Sequence, residues 1–149
     1  MSVTAVSTLV SSIKARIAIV ANDYTELGYA LDINKNAFKN NYKRYGVLVG
    51  AGAEAAGVTR ALTMDQTFEL ILTDGFINKQ MSDSEEQSKV IALQDLMKDI
   101  YLDLVNTKAG SPSTCMIVSQ LQLQTPETIK EQNVVIQRAT INVKYRINL

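Results

Sequence analysis

The chain has no histidine and a single cysteine. Without histidine it lacks the side chain that ordinarily titrates near neutral pH, which is also the commonest metal ligand. Ser-His-Asp and Cys-His activation of a nucleophile are excluded with it. Cys115 stands alone, so there is no intrachain disulfide framework and no cysteine-rich zinc site. The absence of disulfides suits a reducing compartment. An excess of either charge is missing too: 15 lysines and arginines balance 15 aspartates and glutamates. A whole-surface electrostatic grip on phosphates is therefore not expected. A chain of zero net charge is also little protected against association. No run reaches the roughly 18 to 20 apolar residues that span a bilayer. The first twenty residues carry Lys14 and Arg16 among their apolar positions, which does not match a signal peptide. No membrane partner is expected.

What is present reads as one globular domain over residues 1–149. Hydrophobic residues make up 46% and charged residues 20% of the chain, enough to bury one core. Val6, Leu9, Val10, Ile13, Ile17 and Val20 recur at spacings of three and four, the stripe of a helix. Ser11, Ser12, Lys14 and Arg16 fall on its other side. Residues 22–44 are rich in asparagine and irregular. Tyr45 to Ala51 reads as a strand, followed by the small-residue run Gly50 to Gly57 as a bend, bulge or hairpin loop. Thr63 to Thr73 reads as a second strand, with Met64, Phe68, Leu70 and Leu72 on one face and Gln66 interrupting it. Ser82 and Glu85 have capping-box spacing before a helix that runs to about Asn106 or Thr107. Its broad apolar stripe runs from Val90 to Val105, and Gly110 with Pro112 ends it. Cys115, Ile117, Leu121 and Leu123 alternate in a third strand. Ala139, Ile141, Val143, Tyr145, Ile147 and Leu149 alternate in a fourth, opposite Arg138, Thr140, Asn142, Lys144, Arg146 and Asn148. The expected fold is α+β, with a predominantly antiparallel sheet, two main helices packed on it and the order α-β-β-α-β-β.

Four features are candidates for chemistry. Cys115 lies in a strand pattern and reads as a buried structural thiol. Asp95, Asp99 and Asp103 line one helix face beside Lys98; the plain reading is a solvated face, the sharper one a calcium or magnesium site, for which no calcium-loop pattern is present. Gly50, Gly52 and Ala55 mimic a dinucleotide fingerprint after a strand, but Gly57 falls where its helix should continue. The segment Lys35, Lys39, Lys43, Arg44 with Phe38, Tyr42 and Tyr45 suits a solvated loop, an acidic protein surface or nucleic acid. No cofactor or metal is expected, and the missing catalytic groups favour a binding or structural role over an enzyme.

The chain resembles the tail-terminator, or tail-completion, proteins of tailed bacteriophages. The likeness runs through nearly the whole chain: the N-terminal amphipathic helix, the strand Tyr45 to Ala51 with its loop, TFELILTDGF at 67–76, the helix from Ser82 to Asn106 and the two closing strands. It implies a homohexameric ring in the virion, assembled in the host cytoplasm. Such a ring caps the tail-tube protein, ends tube growth and offers a surface to a neck or head-completion protein. It implies docking elements at Lys35, Lys39, Lys43 and Arg44 and at Gly50, Gly52 and Glu54. It also implies a positive face at Arg138, Lys144 and Arg146 towards another ring protein or DNA passing through the lumen. A connector or other neck component, a nucleotide-binding protein and a nucleic-acid-binding module are the alternatives.

Overall fold

The computed structural model describes residues 6–27, 42–54, 62–76, 81–111 and 115–147. Helix α1 spans Val6–Val20, strand β1 Thr25–Glu26, β2 Arg44–Glu54 and β3 Leu62–Gly75. Helix α2 spans Asp83–Thr107, β4 Cys115–Leu123, β5 Glu127–Ile129 and β6 Val134–Ile147, the last two joined by a 3-10 turn at Lys130–Gln132. The fold is α+β: six strands in a mixed, mostly antiparallel sheet of order β1-β2-β3-β6-β4, with two main helices packed on it. β6 is central. It pairs with β3 along its whole length on one side, and with β5 and then β4 on the other. Only β1, beside the start of β2, is parallel to its neighbour. β1 and β5 are short additions to the expected order.

The expected helices form for local reasons. Glu85 N–H donates to Ser82 Oγ at 3.3 Å, and Ser82 N–H donates to Glu85 Oε1 at 3.2 Å, a reciprocal capping box. Asp83, Glu85 and Glu86 crowd the positive end of the helix dipole. The far end falls where expected. α2 ends at Thr107, Lys108 caps it in the left-handed conformation at φ 50°, and Ala109 and Gly110 follow at φ 54° and 72°. Ala109 N–H closes on Leu104 O at 2.8 Å, satisfying a carbonyl that the last turn would orphan.

Leu9, Ile13 and Ile17 of α1 and Val90, Leu93, Met97, Ile100 and Leu104 of α2 are buried against one sheet face. That face supplies Phe68, Leu70 and Leu72 from β3 and Ala139, Ile141, Val143 and Tyr145 from β6, as the alternation implies. Each fully buried aliphatic side chain contributes about 1.5–3 kcal/mol relative to exposure. A smaller cluster of Leu27, Ile71, Val134 and Ile136 occupies the opposite face, with Leu48, Tyr42 and Ile129 against it. The sheet is thus buried on both faces at one end. The uninterrupted apolar runs at 70–72 and 134–136 are the sequence trace of that double burial.

β4 departs from its expected alternation. Cys115 and Val118 are buried, whereas Ile117 is 50% exposed. Pairing with β6 shifts register between Cys115 and Ile117 and again between Ser119 and Gln122, where Gln120 sits at φ 61°. Each inserted residue flips the side-chain parity, so one simple alternation cannot describe the strand.

Candidate functional site: the sheet face away from the helices

On the face opposite the helices, β3 and β6 present a polar lattice beyond the small apolar cluster. The register sets Asp65 beside Lys144, Thr67 beside Asn142, Glu69 beside Thr140 and Ile71 beside Arg138. Arg138 Nη1 donates to Glu69 Oε1 at 2.7 Å, and its Nε lies 3.6 Å from Glu127 Oε1. Asn142 Nδ2 donates to Asp65 Oδ1 at 3.0 Å. The expected positive face is therefore corrected at Arg138, whose charge is met by two carboxylates. Lys144 and exposed Arg146 are the basic groups left at the far end of β6. Ile117 of β4 pairs with Lys144 and joins them on that face.

Of the bend, bulge or hairpin loop expected for the glycine run, its described part takes a bulge-like register shift. β2 does not end in a loop at Gly50 but continues antiparallel to β3 through Glu54, with a register shift between Val49 and Gly52. Gln66 is the cause to which the geometry points. Its Nε2 donates to Gly50 O at 2.7 Å and Thr67 O at 3.2 Å, laying the carboxamide across the neighbouring strand. A Cβ at Gly52 would collide with Gln66 Oε1. Glycine fits here because a side chain of the next strand approaches closely. A dinucleotide fingerprint opens a helix from a parallel strand; Gly50 and Gly52 lie inside an antiparallel one, which removes the nucleotide reading of these two glycines, and Ala55 and Gly57 lie outside the described residues.

The basic segment divides. Lys35 and Lys39 lie outside the described residues. Lys43 Nζ lies 2.9 Å from Asp23 Oδ2 and 5.7 Å from the Tyr24 ring centroid. Their hydrogen bond raises the Lys43 pKa and lowers that of Asp23. Arg44 opens β2, and its Nη1 donates to Glu26 O at 3.1 Å. These two residues stand at the opposite end of β2 from Gly52 and Glu54. By contrast, Ala53, Asp65, Lys144 and Ile117 form one row across four strands. The structure so brings the glycine run and the end of β6 together, and leaves Lys43 and Arg44 apart.

Two polar positions carry weight that the residue types alone do not announce. Gln137 is fully buried; it donates to Gln124 O at 2.7 Å and Arg138 O at 2.8 Å and accepts from Gln94 Nε2 at 3.1 Å. Its parity with Ala139 places it on the apolar face, where a polar side chain must find partners. Asp103 is not part of a plain solvated row. Arg16 of α1 grips it through two bonds of 2.9 and 2.7 Å, fastening the two helices to each other. Asp95 and Asp99 are exposed. Among the described residues, no three His, Cys, Asp or Glu side chains gather as a metal site. A cleft of about 330 Å³ lies between the end of β3 and the start of α2, but its Lys89 is committed to Asp74 at 3.1 Å and to the Phe76 ring at 4.6 Å.

Burial raises the pKa of the Cys115 thiol and of the Tyr24, Tyr45 and Tyr145 phenols, in each case chiefly by desolvation. An acid raised in the folded state ionises first in the unfolded chain, so stability falls with rising pH. The contribution of these groups is complete below the ordinary values, 9.0 for the thiol and 10.0 for the phenols, and declines above them. In an alkaline titration, part of the tyrosinate absorbance is expected only as the helical circular dichroism is lost. Full tyrosine ionisation with the helix signal intact would contradict this.

No described helix is long and apolar enough to cross a membrane. Neither the protein-family models nor the curated proteins compared with the chain give a match.

Proposed function

We propose that the chain is a structural subunit of a homo-oligomeric ring of six copies, which caps a phage tail tube at its head-proximal end. The ring stops tube growth and joins the tail to a neck or head-completion protein. Its work is contact rather than catalysis. The observation that carries the self-associating part is the pair of sheet edges. β1 pairs only with Arg44 and Tyr45, and no described strand lies along β2 from Val47 to Glu54; β4 forms the other edge. Unpaired strand edges are templates for association. Exposed Ile19, Val49, Ile91, Leu102 and Ile117 add apolar surface. The tail-end assignment rests on the resemblance in element order. Arg138 meets two carboxylates, which leaves Lys144 and Arg146 on this face for contact with another ring protein.

Native mass measurement over a range of concentrations, with imaging of the particles, tests the reading. Six-membered rings that bind one end of assembled tail tubes are the expected result. A ring of twelve moves the assignment to a neck connector. A chain that stays monomeric, alone and with tubes, overturns it.

A further inference from the structure

The domain has two layers, and each offers an outer face. On α2, Ile91 (59% exposed) and Leu102 (56% exposed) lie three turns apart and therefore on one side of the helix, opposite buried Leu93, Met97 and Leu104. Asp95 lies between them and Asp99 flanks them. Both are exposed and belong to none of the ion pairs described above. Lys98 is the one basic residue in that stretch of helix, so the stripe is acidic by one charge. On the far side of the molecule, exposed Ile117 sits beside Lys144, with Arg146 one step along the same face. Asp65 is the neighbouring acid, and it accepts from Asn142. Ile91 and Leu102 stand at the two ends of the first patch with the charged residues between them, Ile117 is the apolar residue of the second, and the two patches have opposite residual charge.

From this complementarity we infer that a second copy of this chain docks head to tail: the Ile91–Leu102 face of α2 lies on the Ile117–Lys144–Arg146 face of the next subunit's sheet. The inference deepens the ring reading and rests on it. The contact repeats between copies what the chain does within itself, a helix layer laid on a sheet face. Asp95 and Asp99 meet Lys144 and Arg146 across it, which fixes orientation as well as partner. Two different surfaces of one chain make a heterologous contact, and a heterologous contact that closes gives a ring.

Charge reversal on each patch tests the contact. Asp95→Lys with Asp99→Lys gives one full-length protein, and Lys144→Glu with Arg146→Glu the other. Circular dichroism and thermal unfolding establish that both are folded. Each alone is expected to need at least about tenfold more protein to assemble than wild type, because reversal sets like charges against each other across the contact. Mixed in equal amounts they restore the assembly, because each reversed patch then faces its opposite. If the wild type assembles but either reversed protein does so equally well, or if the mixture stays apart, this contact is wrong while the ring reading stands. A wild type that remains monomeric, alone and with tubes, overturns both. A reversed protein that fails to fold is replaced by the neutral pair Asp95→Asn with Asp99→Asn, or Lys144→Gln with Arg146→Gln. Those are expected to weaken assembly in the same direction, and unchanged assembly counts against the contact.

Discussion

Phe68→Ala is expected to cost about 3–5 kcal/mol of folding stability. Phe68 is fully buried on the helix-facing side of β3, between Val49 of β2 and Ile141 of β6 in the register. It belongs to the same cluster as Leu9 and Ile13 of α1 and Leu93 and Met97 of α2. Truncation removes the ring from the place where both helices and three strands converge. The regular elements around it cannot collapse inward without breaking strand pairing, so the lost transfer energy adds to the cost of a cavity. Domains of this size are stable by roughly 5–15 kcal/mol, so the loss is a large share of the total. Urea unfolding should show the midpoint falling with little change of slope. Val49→Ala, at a 53% exposed position on the neighbouring strand, serves as the control and should stay within about 0.5 kcal/mol. Similar losses for the two would mean that the convergence point is elsewhere.

Gly75→Ala is the second large effect, expected at about 1–3 kcal/mol by overpacking, or more if the strand end opens. A Cβ there would run into the carbonyl oxygen of Asn133 and come within 3.1 Å of Tyr42 Cδ1. The obstacle is backbone, and it is fixed. Asn133 takes the left-handed conformation at the end of the 3-10 turn, and its carbonyl accepts from Phe76 N–H at 3.2 Å. Accommodating a methyl group means parting β3 from the start of β6. Gly52→Ala meets a different obstacle, the end of the Gln66 side chain, which can swing away at the expense of its two hydrogen bonds. The melting temperature should therefore drop further for Gly75→Ala than for Gly52→Ala. The reverse order would show that the Gln66 bridge, not the β3–β6 seam, holds this side of the sheet.

The parts of this fold legible in the sequence are those set by neighbours in the chain. Ser82 and Glu85 are three residues apart, and their capping box starts α2 where their spacing puts it. The alternation from Ala139 to Tyr145 assigns the faces of β6 correctly, because β6 pairs without a register shift. β4 was less legible, because its bulges fall at residues with no turn chemistry; a glutamine at φ 61° gives no warning. In the glycine run the bulge was legible, and the side chain laid across it was not. Small residues usually mark a loop, yet here they admit a side chain from the next strand.

Charges were the hardest to place. Arg16 and Asp103, like Arg138 and Glu69, are far apart in the chain and adjacent only after folding. Reading Arg138, Lys144 and Arg146 as one positive face counted residues on one strand and omitted the acids on β3 and β5. Gln66 and Gln137 were more accessible: each is a polar residue on an apolar face, and such a residue has to be explained by a partner.

The seam between β3 and β6 also has a consequence in time. Every residue of β3 finds its partner beyond α2 and β4, so none of these pairs can form until a long loop has closed. Closure entropy is spent before any ladder bond returns it, and folding of such a topology is slow for its size. Substitutions along the seam are expected to slow folding, while those confined to the β4 edge chiefly hasten unfolding. Until the seam forms, β3 has only its pairing with β2, and the strand that unites the sheet is the one for which the rest must wait.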